Sequence, residues 1–134
     1  MKKKYLCIIM IISLLLCLFL SSCKQADIYL NKDESFYSEF KVENDKVYIY
    51  CNVLIENSKK DNAQIMLEGT FENDVKNGLL KEATLQGYSL DCETSTFELV
   101  KGDNIIEVVF IGEYGGNYQK HDKLLPQINI KELA

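Results

Sequence analysis

Hydrophobic and polar residues alternate with a period of two along most of the chain after residue 35, which is the pattern of strands that bury one face. The clearest run extends from Val47 to Ile55. Strands are predicted at Phe36–Val42, Lys46–Glu56, Ala63–Glu72, Leu85–Leu90, Thr96–Val100, Asn104–Ile111 and Gln127–Lys131. Their inward residues should share one core, made by Val47, Ile49, Val53, Ile65, Leu67, Phe71, Phe97, Val108 and Phe110.

Polar segments separate these strands and predict turns. Glu43–Lys46 and Lys101–Asn104 have the composition of tight hairpin turns. The single proline, Pro126, opens the last strand, where it removes no ladder hydrogen bond. The least regular segment, Leu79–Ala83, is predicted to hold a short helical turn. Short strands spaced by about 8–12 residues favour an all-β fold, an antiparallel two-sheet sandwich of about seven strands.

The N-terminus has a different pattern, that of an export signal. Three lysines precede an apolar run from Leu6 to Leu20, which small residues then connect to Cys23. A helix over that run is about 22 Å long, short of the roughly 30 Å hydrocarbon core of a bilayer. A cleaved signal is therefore favoured over a permanent transmembrane helix.

The segment Leu20-Ser21-Ser22-Cys23 resembles the lipobox of bacterial lipoproteins. That resemblance implies removal of residues 1–22 as a signal peptide and attachment of a diacylglycerol to the thiol of Cys23. Residues 23–34 would then be the lipidated cysteine and a tether, which ends in a first short strand marked by Ile28, Tyr29 and Leu30. Residues 35–134 would be one extracytoplasmic domain anchored to the cell membrane. The alternative is an ordinary signal peptide in which Cys23 has no special role.

The domain itself resembles an immunoglobulin-like domain. Cys51 is a core-facing cysteine on an early strand, and Lys101–Asn104 splits a later strand pair, as in that fold. The whole chain is similar to small lipoproteins of low-GC Gram-positive bacteria that carry one such domain and have no assigned activity. The resemblance implies an immunoglobulin-like sandwich over residues 35–134.

Two cysteines, Cys51 and Cys92, remain outside the signal and the lipobox. In an exported protein they can form a disulfide. They can equally remain two thiols that pack as small hydrophobic groups. The chain has no CxxC motif and no Cys/His cluster, so no metal site or other cofactor is predicted.

The charge of the mature chain restricts its partners. Residues 24–134 contain 12 lysines and 20 acidic residues, a net charge of −8, and the chain has no arginine. Nucleic acid and anionic surfaces are therefore poor partners, whereas a cationic protein or peptide would be attracted.

No catalytic motif accompanies these features. The only histidine, His121, lies beside Asp122 in a charged segment, where a solvated side chain is the ordinary interpretation. We therefore predict a non-enzymatic binding or interaction module on the membrane, able to capture a cationic protein. The alternatives are a hydrolase that acts on the envelope, or an accessory subunit of an exporter or envelope complex.

Two groups of tyrosines are candidate partner-binding residues. Tyr114 and Tyr118 lie in a segment rich in Tyr, Gly and Asn, a composition found in paratope loops. Tyr48 and Tyr50 lie on the outward side of their predicted strand, where they would form an aromatic stripe. The structural alternatives are a hairpin connection for the first group and cover by a neighbouring segment for the second.

Overall fold

The computed structural model describes residues 5, 7–12, 26–118 and 124–133, of which residues 5 and 7–12 are helical. The rest of the described chain is mainly β-structure, because its apolar residues recur at every second position. Its strands are β1 (Ile28–Glu43), β2 (Lys46–Asn57), β3 (Ala63–Thr70), β4 (Thr84–Tyr88), β5 (Thr96–Leu99), β6 (Gly102–Glu113) and β7 (Gln127–Leu133), with a short helix at Glu72–Lys76. The predicted all-β class is confirmed, and each predicted strand corresponds to an observed one.

Strand β1 is longer than its pattern indicated. It begins at Ile28, so residues 28–34, which were expected to be the end of a tether with a short strand, belong to one long strand of the sheet. Ile28 and Leu30 pair with Asn57 and Ile55 of β2 and pack against the core. A bulge separates Asn31 from Phe36 and interrupts the alternation that would have marked the whole strand.

The predicted helical turn at Leu79–Ala83 is wrong, because the helix lies seven residues earlier, at Glu72–Lys76. The chain leaves the helix at Gly78, which has a φ of +80°. The amides of Leu79 and Leu80 then donate hydrogen bonds of 2.9 and 3.1 Å to the carbonyl oxygen of Asp74. Both leucines are thereby placed in the core as part of an irregular segment.

The strands form one curled antiparallel sheet in the order β1-β2-β6-β4-β3-β5, and β7 pairs with the opposite edge of β3 from β4 and β5. Strand β4 connects its two halves. Thr84–Gln86 pair with β3, whereas Gly87 and Tyr88 pair with β6. The hydrogen bonding is therefore continuous, and the expected division into two sheets is not present as two separate ladders.

The inner faces of both halves meet in a single hydrophobic core. All the predicted core residues belong to it, and Phe97 is the one that is only partly buried. Phe110 is fully buried and its ring lies edge-on to that of Phe71, with the centroids 5.4 Å apart. Gly69 and Gly87 make room for it, because a Cβ on either would lie within 3.2 Å of the Phe110 ring.

Two tight turns fix the register of the long strands. Asn44 and Asp45 have φ values of +53° and +62°, as the two central residues of a type I′ hairpin require. At the other end of β2, the side chain of Asn104 accepts a 2.9 Å hydrogen bond from the Val100 amide and donates one of 2.9 Å to the Val100 carbonyl. β2 and β6 are consequently paired from Lys46↔Glu113 to Asn57↔Gly102.

Candidate functional site

The outer face of β2 and β6 is unusually apolar for an exposed sheet. Tyr48, Tyr50 and Leu54 point away from the core on β2, because Val47, Ile49 and Val53 point into it. The register places them opposite Ile111, Val109 and Ile105 of β6. An antiparallel sheet with one solvated face normally carries polar residues on that face. These pairs are instead apolar, and they lie on the opposite side of the sheet from the core.

Several of these side chains are exposed to solvent. Ile105 is 82% exposed, and Phe36 of the neighbouring β1 is 56% exposed. Val109, in contrast, is fully buried, and its register neighbours are Tyr50 on one side and Tyr88 on the other. The outer face therefore has a packed aromatic centre and an exposed aliphatic end.

Three adjoining depressions follow β2 along this face, and we call them together the outer groove. The first, of about 280 Å³, is lined by Phe36, Leu54 and Ile105. The middle one, of about 260 Å³, is lined by Glu39, Tyr50, Asn52, Leu90 and Glu107. The third, of about 680 Å³, is lined by Tyr48, Tyr88, Cys92 and Ile111 together with polar side chains. The first and middle depressions share Asn52 of β2, and the third begins two residues beyond Tyr50, at Tyr48, so a segment of another chain can contact all three.

The charge beside the outer groove is mainly negative. Glu39 and Glu107 line the middle depression, and Glu113 lines the third. The nearby cation of Lys41 lies 3.4 Å from a carboxylate oxygen of Glu43 and 5.3 Å from the centroid of the Tyr48 ring. The hydrogen bond from Lys41 to Glu43 raises the pKa of Lys41, so its charge is retained and paired.

The structure places Tyr48 and Tyr50 on the outer face, half-buried. The sequence analysis missed the rest of this apolar surface, which Phe36, Ile105 and Ile111 supply. The sequence did contain a signal of this surface, because β6 is apolar on both faces. Ile105, Val109 and Ile111 alternate there with the core residues Val108 and Phe110.

Tyr114 and Tyr118 contact different parts of the molecule. Tyr114 packs partly buried against the core, and its amide donates a 2.9 Å hydrogen bond to the Asp45 carbonyl. Tyr118 is 64% exposed, with its ring centroid 5.8 Å from that of Phe40. Phe40 pairs with the core residue Ile49 and lies on the inner side of β1. Neither tyrosine lines the outer groove.

Gly115, which follows Tyr114, is held against the turn after the helix. Its amide donates a 2.8 Å hydrogen bond to the Leu79 carbonyl, and an added Cβ would lie 2.3 Å from the carbonyl oxygen of Gly78. The side chain of Asn117 donates a further hydrogen bond of 2.9 Å to the Asn77 carbonyl. This part of the segment is a docked connection, so Gly115 serves close packing rather than the outward presentation of both rings.

Cys51 and Cys92, for which the sequence allowed either a disulfide or two thiols, are free thiols in this structure. Cys51 points inward from β2 and is 2% exposed, whereas Cys92 lies on an exposed turn with a φ of +62°. Burial raises the pKa of the Cys51 thiol to about 12. At neutral pH Cys51 is therefore protonated and shielded.

Thiol labelling of the processed protein should separate the two cysteines. At pH 8 a maleimide should modify Cys92 quickly, because that side chain is exposed, and Cys51 only after unfolding in urea. Cys92→Ser should abolish fast labelling and Cys51→Ser should leave it intact. A protein that resists labelling until a reductant is added would instead contain a disulfide.

Cys23 and His121 lie outside the described residues. Within the part of the chain that the structure describes, no helix has the length and apolar character needed to cross a bilayer. The same part contains no group of three or more His, Cys, Asp or Glu side chains placed to hold a metal ion.

Comparison of the chain with protein-family models, with curated proteins and with solved structures finds no significant match in any of the three. The functional argument therefore depends on the geometry of the domain and on the chemistry of its N-terminal segment.

Proposed function

We propose that this protein is a lipoprotein, anchored to the extracytoplasmic face of the cell membrane through Cys23, that binds a protein partner through its outer groove without catalysing a reaction. The observation that carries the proposal is the exposed apolar face of β2 and β6. Ile105, 82% exposed, and Phe36, 56% exposed, lie beside partly exposed tyrosines on a regular and well-packed sheet. Contiguous exposed apolar surface on a soluble domain is typical of an interaction site.

The position of the first strand supports an orientation for the anchored domain. The amide and hydroxyl of Ser58 donate hydrogen bonds of 2.8 and 2.9 Å to the carbonyl oxygen of Asp27, which fixes the chain just before β1. Three residues lie between Cys23 and Asp27, and the four residue steps of an extended chain reach about 14 Å. The end of the domain that holds Ser58 and Gly102 would therefore face the membrane.

From that end, β2 leads away from the membrane toward the hairpin at Asn44 and Asp45. A strand of 12 residues is about 40 Å long, so the outer groove would extend outward along most of the domain. A partner in the surrounding space could then reach the groove without displacing lipid.

The proposal includes the finer description of the fold as an immunoglobulin-like sandwich. Its support is the common core between the half that contains β1, β2 and β6 and the half that contains β3, β5 and β7. In this description β4 is a strand that passes from one layer to the other.

Site-specific photocrosslinking in intact cells tests this function. A photoreactive amino acid at Ile105 and one at Leu54 should give the same protein adduct, because both positions line the first depression. The matched control is Glu98, which is exposed on β5. Co-expression of the protein without the photoreactive amino acid should suppress adduct formation at Ile105. Co-expression of its Ile105→Asp variant should not.

Equal adducts from Ile105 and Glu98 would contradict a binding role for the outer groove. The same conclusion follows if the Ile105→Asp variant competes as well as the natural sequence, since a buried apolar contact cannot tolerate a carboxylate.

A further inference from the structure

We propose that the middle depression of the outer groove receives a lysine or arginine side chain from the partner, so that the partner is a protein with a cationic contact surface. This inference rests on the proposed function of the groove and specifies the chemistry of its occupant. It is derived from the two carboxylates of the depression, its aromatic floor and the charge of the surrounding surface.

The register of the sheet brings the lining residues together. Glu39 of β1 lies opposite Tyr50, and Glu107 of β6 lies opposite Asn52, so the two acidic residues flank β2 on its outer side. Both are exposed, and the depression of about 260 Å³ lies between them. Leu90, 50% exposed, contributes an aliphatic wall.

These groups complement a long cationic side chain. The methylene stem of lysine or arginine packs on apolar and aromatic surface while its charged end stays near solvent. The Tyr50 ring and Leu90 supply that surface, and the carboxylates can accept charge-assisted hydrogen bonds from the ammonium or guanidinium group. A neutral or acidic side chain would leave the carboxylates without such donors.

Neither carboxylate takes part in an ion pair with another described residue. Among the described residues, the ion pairs join Lys41 to Glu43, Lys59 to Glu132 and Lys81 to Glu113, and none includes Glu39 or Glu107. The lysine nearest in the register, Lys41, is paired with Glu43 and also forms a side-chain hydrogen bond with Tyr50. A cation that enters the depression therefore meets two carboxylates that have no ion-pair partner among the described residues.

The same charges argue against two other occupants of the groove. A second copy of the chain, docked face to face, would bring its own Glu39 and Glu107 toward those of the first. Anionic lipid would meet like charge as well, and residues 24–134 have a net charge of −8. Charge complementarity thus selects a cationic protein surface.

The test measures retention of the full-length protein, in detergent, on immobilised hexapeptides. In each peptide pool one central position is fixed as lysine, arginine, leucine or glutamate, and the other positions are randomised. Retention on the lysine and arginine pools should exceed retention on the leucine and glutamate pools by about tenfold, the range expected for a charge-assisted contact. Glu39→Gln/Glu107→Gln should remove most of that preference.

The matched control is Glu72→Gln/Glu98→Gln, which removes the same number of charges from exposed positions on the helix and on β5. This variant should keep the lysine and arginine preference within about twofold. The single substitution Glu107→Gln gives a second variant, and unchanged melting temperatures should accompany all three because every substituted side chain is exposed.

Two results would overturn the proposal. An equal loss of preference in both double variants would mean that only the total charge attracts cationic peptides. The second result is retention that is strongest on the leucine pool, is lost in the Ile105→Asp variant and is unchanged in Glu39→Gln/Glu107→Gln. It would contradict the cation pocket but leave the apolar binding function in place. Failure of the crosslinking experiment, in contrast, would remove the binding function itself.

Discussion

Replacement of Phe110 by alanine is expected to lower the free energy of unfolding by about 3–5 kcal/mol. The side chain is fully buried at the centre of the core and contacts the Phe71 ring edge-on at a centroid distance of 5.4 Å. Its loss leaves a cavity that strands from both halves of the sheet cannot easily collapse to fill. Urea unfolding followed by far-UV circular dichroism measures the effect, and the slope with urea concentration should stay unchanged.

The control for this prediction lies on the same strand. Ile105→Ala removes an aliphatic side chain that is 82% exposed, so its effect should stay within about 0.5 kcal/mol. If Phe110→Ala destabilises no more than Ile105→Ala, then Phe110 is not in the core as described.

Gly87→Ala probes the same packing from the opposite direction, by adding a methyl group. The new Cβ would lie 2.7 Å from Cγ2 of Val108, 3.1 Å from the Leu67 carbonyl oxygen and 3.2 Å from the Phe110 ring. Overpacking of this kind costs about 1–3 kcal/mol. Part of that loss should disappear when Phe110 is also alanine, because one of the three close contacts is then absent.

Replacement of Cys23 by serine is expected to abolish membrane anchoring. A hydroxyl cannot take the place of the thiol that receives the diacylglycerol, and a doubly acylated anchor is needed for stable attachment. Labelled palmitate should no longer enter the protein, which should either accumulate as an uncleaved precursor or leave the membrane fraction.

Cys17→Ser is the matched control for the anchor. Cys17 also lies in the apolar run, but the large residue Leu16 precedes it, so it does not meet the pattern of the cleavage site. Palmitate incorporation should be normal in this variant. Normal labelling of the Cys23→Ser protein would contradict the lipoprotein assignment.

The strand positions and the core could be predicted from the sequence because both depend on local periodicity. Val47, Ile49 and Val53 recur at every second residue, and that spacing allows them all to enter a core only if the segment is extended. The hairpin at Asn44 and Asp45 was likewise local, since both residue types tolerate the positive φ that the turn requires.

The deviations arise where distant contacts override the local pattern. Residues 28–34 are polar enough to suggest a tether, yet Ile28 and Leu30 gain a partner strand in β2 and a place on the core. The segment around Tyr114 has the composition of an exposed loop. It nevertheless packs against the domain, because Gly115 lies close to Gly78. The apolar residues Ile28 and Leu30 indicated only a short strand, and nothing at Gly115 indicated its approach to Gly78.

The set of strands and the inward face of each strand thus follow from the sequence alone, whereas the export-type pattern of the N-terminal segment stays a prediction. The folded domain was needed to see that β4 pairs with both β3 and β6, and that the outward residues of β1, β2 and β6 form one groove with Glu39 and Glu107 beside Tyr50. The physical reason is that a period of two specifies on which side of a strand a residue lies. It does not specify which strand lies alongside, and a binding surface is made by the side chains of neighbouring strands together.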